Sequence, residues 1–450
     1  MFVNRILCVL VFIYGVKSDY VVPPLSLEAL KKGGFRVYIP DVPGTALFAF
    51  HANINDNIRA QHPGSINGET KEPTNGLWVL EFVDKLKVGD VVNYWIFVNA
   101  NHLGYRKDGE PIKINRLLDS YTGVQSRCEP TVTVINGGKS TCSNNVILQD
   151  NFDGTAINTN LWKVEHRIPT YAEPNLPFNS YENRAENRFM RDNKLYLKPN
   201  AVSESEVRGT LNLREGCTGV QPQECFYEQR SSFLLPPVKS SKLVSKTSFK
   251  YGTIEIRAQL PRGDWIFPIV QLEPVQKDSS NPSKIWIAYS RGNNQLNIKD
   301  PADIDVRGLS GNDIGSHLLL AGPTSEVDEP ERSQQLIFKY TTRSFYDDFH
   351  NYSLVWTKDE MRFFVDSEEY GTVKSNGETF NREHVLSLGV GVGGLYDFPD
   401  EAMSGGKEKP WSNADRHAIK RFFEAKSTWI QTWDPERSCL IVDSVRVTAI

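Results

Sequence analysis

The stretch Tyr251-Gly252-Thr253-Ile254-Glu255-Ile256-Arg257-Ala258 alternates apolar and polar residues with a period of two. Successive side chains of a strand point to opposite faces, so the stretch predicts a strand with one buried and one wet face. The pattern returns in Tyr352–Trp356, in Met361–Asp366 and in the closing run Leu440–Val447. One amphipathic helix is expected among them, over Ala414–Glu424. Roughly 300 residues of strand around one core predict a two-sheet jelly roll over 146–450, a form whose concave face is commonly a ligand groove.

Upstream, from Tyr20 to about Val124, strand-like runs recur at short spacing: Phe35–Ile39, Ala46–His51, Leu77–Phe82 and Val91–Val98. Turn residues such as Asp41-Val42-Pro43-Gly44 and Pro73-Thr74-Asn75-Gly76 separate them. About 100 residues of this kind predict an immunoglobulin-like β-sandwich over 19–124. Ser26–Lys32 carries a short helical signal, and Trp78 and Trp95, each inside an apolar run, are expected in the core. Residues 125–145 are polar and include Gly137 and Gly138, which predicts a disulfide-tied linker. The chain is therefore expected to be all-β, in two modules.

Composition narrows the function classes. Of 450 residues, 39% are hydrophobic and 11% aromatic, which supports a sizeable core and excludes wholesale disorder. Lys plus Arg number 51 against 55 Asp plus Glu, a net charge of −4, so there is no cationic excess to neutralise a nucleic-acid backbone. Residues 1–18 read as a signal peptide: Arg5 is the basic start, Leu7–Val16 the apolar run and Val16-Lys17-Ser18 the small-residue exit. That run falls short of the ~20 residues a membrane helix needs, and no membrane anchor is expected elsewhere. Cys128 with Cys142, and Cys217 with Cys225, lie close along the chain and suit disulfides of an oxidising compartment. Cys439 is left over, either buried and free or bonded to another chain. Asn351-Tyr352-Ser353 is an N-glycosylation sequon. No metal-ligand spacing, phosphate loop or Gly-x-Ser-x-Gly is present, so no metal or other cofactor is expected. Asp303-Ile304-Asp305 reads as surface charge and Arg262-Gly263-Asp264 as a structural turn.

Several pieces carry a family resemblance. Ile39-Pro40-Asp41, Leu47-Phe48-Ala49-Phe50-His51-Ala52-Asn53-Ile54-Asn55 and Leu103-Gly104-Tyr105-Arg106 resemble the β-1,3-glucan-binding module of arthropod recognition proteins. Tyr251–Ala258, Leu260-Pro261-Arg262-Gly263-Asp264-Trp265, Gly393-Gly394, Lys409-Pro410-Trp411 and Val442-Asp443-Ser444-Val445-Arg446-Val447 resemble the laminarinase-like, concanavalin-like β-jelly roll of glycoside hydrolase family 16. In this order they cover nearly the whole chain beyond residue 18. The combination resembles the Gram-negative bacteria-binding and β-1,3-glucan recognition proteins of invertebrate immunity. The resemblance implies a pattern-recognition protein secreted into haemolymph. Its partners would be microbial cell-wall polysaccharide (β-1,3-glucan, or lipopolysaccharide or peptidoglycan-associated polymer) and immune serine proteases. It implies glycan contacts at Asp41, Glu69, Tyr105, Arg106 and Asp108, with Ile66 standing where members carry a stacking Trp. In the groove it points to Trp265, Trp286, Tyr289 and Trp411.

Active members of the hydrolase family carry Glu-x-Asp-x-x-Glu on a strand running into Ser-Arg-Gly-Asn. Retaining hydrolysis needs two carboxyl groups about 5–5.5 Å apart. Positions i and i+2 share a strand face, and a bulge returns the third acidic position to it. Here Ser290-Arg291-Gly292-Asn293 sets the register and puts Lys284 at the nucleophile, Trp286 at the tuning and Tyr289 at the acid/base position. A charged ammonium has no lone pair to attack with, and a phenol of pKa about 10 is a poor acid catalyst at neutral pH. No hydrolase activity is expected. Two alternatives stand beside the recognition reading: an active β-1,3-glucanase, against which the missing carboxylates argue, and a regulatory partner that has lost glycan binding.

Overall fold

The computed structural model describes residues 20–450 apart from 43, 60, 61, 75, 101, 102, 122–129, 171, 172, 174, 276–282, 299–312, 326–333 and 376–379. The signal peptide, Cys128 with its expected bridge to Cys142, and Asp303–Asp305 lie outside the described residues. The fold is all-β, in two compact units that divide after Cys128. Among the described residues no helix is long and apolar enough to cross a membrane.

The first unit is a sandwich. Strands β1 (Ser26–Ala29), β2 (Phe35–Pro40) and β5 (Leu77–Phe82) form one sheet. The other contains β3 (Thr45–Ile54), β4 (Ile66–Thr70), β6 (Val91–Ala100), β7 (Leu103–Asp108) and the short β8 (Ile112–Lys113). Phe35, Val37, Ile39 and Trp78 from the first sheet meet Phe48, Phe50, Ile96 and Val98 from the second. Trp78 is in the core as expected, and its indole Nε1 donates to the Asp41 carboxylate at 2.7 Å. The helix expected at Ser26–Lys32 is instead strand β1 and the start of a turn, with Ser26 opposite Tyr38 and Ala29 opposite Phe35. A helix so short gains little from its own hydrogen bonds. Gly33 and Gly34 have positive φ and return the chain along β2, whose edge supplies the partners.

The stretch expected to be a linker contains two strands of the second unit, β9 (Pro130–Ile135) and β10 (Lys139–Cys142). β9 pairs with β11 (Lys242–Lys250), placing Ile135 opposite Phe249. The Glu383 carboxylate accepts from the backbone N–H groups of Gly137 and Gly138 at 3.0 and 2.6 Å, holding the turn between them. The polar composition concealed a strand whose Thr133 is fully buried.

Further strands are β12 (Gly252–Gln259), β13 (Ile266–Pro274), β14 (Ser283–Tyr289), β15 (Leu318–Ser325), β16 (His350–Trp356), β17 (His384–Val392) and β18 (Leu440–Thr448). One sheet runs β10-β9-β11-β17-β13-β14-β15; the other has β12 between β18 and β16. Strand β12 alternates as its sequence predicts: Ile254, Ile256 and Ala258 are buried, Glu255 and Arg257 exposed. Its inner residues join Leu354 and Val447 against Leu272, Ile285 and Leu388 of the facing sheet. Helix α1 covers Ala418–Glu424, shorter than expected because the Asp415 side chain accepts from the His417 backbone N–H and shapes a turn there. Cys217 and Cys225 are bonded to each other, and Cys439 is buried and free. Asn351 is exposed on β16.

Buried His384 gives this unit a pH dependence. Its Nδ1 lies 2.8 Å from the Arg382 carbonyl, and its ring meets Trp356 edge-on. Burial, reinforced by the Arg382 charge, pulls its pKa down to about 4. Below the ordinary value near 6.5 the unfolded chain takes up a proton that the folded state refuses, so stability falls as pH drops from 6.5 towards 4. Between pH 7 and pH 5 this single group is expected to remove about 2 kcal/mol. Denaturant unfolding of the native chain and of His384→Leu at both pH values checks it: the variant should lose that much less on acidification.

Candidate functional site

The outward face of the five-stranded sheet is set by strand pairing. His51 stands opposite Trp95, and Trp95 opposite Asp108. In the next row Glu69 faces Ala49, Ala49 faces Phe97, and Phe97 faces Arg106. Their neighbours along β6, Val92, Ile96 and Val98, point the other way into the core. The His51 and Trp95 rings stack at 3.8 Å with planes 15° apart, and the Arg106 guanidinium lies 4.5 Å from the Trp95 ring centre. These distances approach the spacing between strands, so the three planar groups run as a ladder across β3, β6 and β7.

Each rung is held. Trp95 Nε1 donates to the His62 carbonyl at 2.9 Å, and His51 Nδ1 lies 3.2 Å from the Pro63 carbonyl. Arg106 reaches the Asp108 carboxylate at 2.6 Å. Phe97 lies across Gly104, where a Cβ would come within 2.7 Å of its ring. Burial, with the Arg106 charge adding to it, holds the His51 pKa below its ordinary value, which favours a neutral imidazole at pH 7. The outward edges of these planar groups, with Glu69, Asn67 and Asp108 beside them, suit a ligand rich in hydroxyl groups.

In the second unit Trp286 and Tyr289, two of the positions singled out in the sequence, lie on strand β14. The β14–β15 register shifts between Trp286 and Tyr289, as the bulge argument expects, and this returns Tyr289 to the side of Trp286. The two rings stack on each other at 4.0 Å, 7° from parallel, and are only 6% and 2% exposed. The Tyr289 hydroxyl donates to Asp397 Oδ1 at 3.1 Å. Gln271, opposite Trp286, donates to Glu273 at 2.9 Å. Lys242 Nζ lies 2.7 Å from Glu273 and 3.5 Å from Glu165, and Arg167 pairs with Glu165, Glu173 and Glu224. Lys242, Arg167, Glu165 and Glu273 are all buried. Phe267 lies flat over Gly391, where a Cβ would approach its ring to 2.2 Å.

The family model for the carbohydrate binding domain CBM39 matches residues 21–135, and that for glycosyl hydrolases family 16 matches residues 218–412. A β-1,3-glucan-binding protein of Hyphantria cunea is 31% identical, over 98% of this chain and 99% of its own. β-1,3-glucan-binding protein 1 of Manduca sexta is 30% identical, over 95% and 96%. Gram-negative bacteria-binding protein 2 of Drosophila melanogaster is 30% identical, over 98% of each. This chain belongs to the β-1,3-glucan-binding protein family.

In this family member the residues expected to touch glycan divide. Glu69, Arg106 and Asp108 lie together on the outward face. Asp41 follows β2 in the other sheet and holds the Trp78 indole, while Tyr105 turns inward opposite Val98 and packs against Tyr20. Trp265 and Trp411 are 2% and 3% exposed and pack edge-to-face in the second core, and neither Trp286 nor Tyr289 keeps an open ring face for a sugar. His51, Trp95 and Phe97 were not foreseen, and Trp95 was expected in the core. The signal was there: Asn93, Trp95, Phe97 and Asn99 share one parity of β6, and two asparagines mark it as the wet one.

Ile66 is likewise a core residue, 5% exposed, so it does not stand where a ligand ring would stack. A tryptophan at this position overfills a packed site, which costs about 1–3 kcal/mol. Ile66→Trp is therefore expected to lower the denaturation midpoint without strengthening retention on insoluble glucan. A rise in retention in a curdlan pull-down would refute that placement.

Proposed function

We propose that this protein is a secreted, non-catalytic recognition protein that binds microbial β-1,3-glucan on the outward face of its first unit and relays the encounter to immune serine proteases through protein contacts. The observation that carries the binding assignment is the His51–Trp95–Arg106 ladder. It is an open sheet face, which engages many repeats of a polymer at once and gains affinity by multivalency, so polymer should bind better than short oligosaccharides. The names of the insect relatives, glucan-binding and Gram-negative bacteria-binding, support the ligand class.

The non-catalytic assignment is supported by Lys284, Trp286 and Tyr289 in place of the three acids, and by the engagement of the carboxylates around them: Asp397 accepts from the Tyr289 hydroxyl. Glu165 and Glu273 are both engaged by Lys242, so neither is poised to protonate a leaving group. Purified protein is expected to release no reducing sugar from laminarin while being retained on curdlan and eluted by laminarin. Turnover that survives chromatography and vanishes when Glu273 is changed to Gln would overturn the reading.

A further inference from the structure

A cavity of about 180 Å³ in the second unit shares no residue with either face described above. It lies between Ile168–Thr170, the loop Ser232–Pro236 and the start of α1. Ile168, Leu176, Phe233 and Ile419 make its walls apolar. Its polar group is a pair: Ser232 Oγ is 2.9 Å from His417 Nε2, and the imidazole stacks on Phe233 at 4.9 Å. Arg416 and Lys420 complete the charged lining, and no acidic residue lines it among those described.

We infer that this cavity binds the short acyl tail of an anionic amphiphile. An apolar cavity of about 150 Å³ holds a benzene, so this volume takes a tail of roughly six non-hydrogen atoms. Burying such a tail against aliphatic and aromatic walls drives association, whereas a sugar would leave its hydroxyl groups unmatched there. The anionic end is set by the two cations and by the Ser232–His417 pair, whose hydroxyl and ring can exchange donor and acceptor roles and so present a donor to a carboxylate or phosphate oxygen. Lys420 also lies 3.7 Å from Glu424, an exposed pairing that competes weakly.

The same pair resembles a nucleophile and its base, but the third member is wanting. Asp415 Oδ1 is 3.6 Å from His417 Nδ1, beyond hydrogen-bond reach, and its carboxylate serves the His417 backbone N–H at 2.8 Å and Arg421 at 3.5 Å. Binding, not acyl transfer, is the role assigned.

The test is an NMR titration of the full chain with hexanoate, hexyl phosphate, 1-hexanol and hexylamine. At least one of the two anions is expected to bind about tenfold more tightly than the alcohol or the amine. Lys420→Glu should erase that preference, and Ser232→Trp, which fills the cavity, should abolish binding of all four. The inference is overturned if alcohol and anions bind alike in the native protein, or if both variants bind the anions as the native chain does. It is also overturned as a binding-only site by hydrolysis of a hexanoyl ester that Ser232→Ala eliminates. If Ser232→Trp fails to fold, Lys420→Glu, a change on the outer part of α1, still decides the charge preference.

Discussion

Trp95→Ala is expected to reduce retention on insoluble β-1,3-glucan by about tenfold or more while leaving the first unit folded. Trp95 is the middle rung of the ladder, so its loss removes the His51 stack and the Arg106 contact together. Truncating a central aromatic side chain of a binding face costs about 2 kcal/mol or more where it is a hot spot, and about 1.4 kcal/mol makes a factor of ten. The released Arg106 still has Asp108, but no longer a plate that fixes its direction. Because Trp95 is on the wet face, its removal opens no core cavity, unlike Trp78, which is 2% exposed. Quantitative curdlan binding alongside a denaturation midpoint separates the two effects. Unchanged retention with an intact midpoint would place the binding face elsewhere.

Lys242→Met is expected to cost the second unit about 3–5 kcal/mol. Lys242 is 5% exposed and its ammonium is the shared partner of Glu273 and Glu165. Removing one member of a buried ion pair leaves the other charges without compensation, which is far more costly than never having buried them. Burial alone would lower the Lys242 pKa, yet Glu165 and Glu273 together raise it, so the ammonium is charged at neutral pH. Its contribution holds below the ordinary lysine value and is lost as pH rises from there through the raised one. Adding Glu273→Gln to Lys242→Met should recover part of the loss by removing the stranded carboxylate. A single-variant cost under 1 kcal/mol, read from denaturant unfolding, would show that the network is solvated and not structural.

The candidate site was legible in part, and the boundary follows from what kind of interaction each residue makes. Lys284, Trp286 and Tyr289 were assigned through the resemblance, on the register of Ser290–Asn293, and their shared face follows because strand alternation and a one-residue bulge are local geometry. The resemblance pointed to Glu69, Arg106 and Asp108, which share the outward face, and equally to Asp41 and Tyr105, which face elsewhere. A motif reports neighbours along the chain, whereas a binding face is made of neighbours across strands. Residues 125–145 read as a linker because the strand character of Pro130–Ile135 within them depends on Phe249 and Lys250 of β11.

The sequence by itself determined that the chain is all-β and built of two modules, since period-two alternation in runs such as Tyr251–Ala258 and Leu440–Val447 is a property each strand carries alone. Only the tertiary structure decided which side of each strand faces in. Asn93 and Asn99 hint at the wet parity of β6, but Trp95 lies outward and Ile66 in the core because of the strands that pair with them. The burial of Trp286 against Tyr289 and the closing of Lys242 onto Glu273 were decided the same way. Register and sheet order join segments far apart in the chain, and the free energy that selects them is that of the whole packed unit, which no single stretch contains.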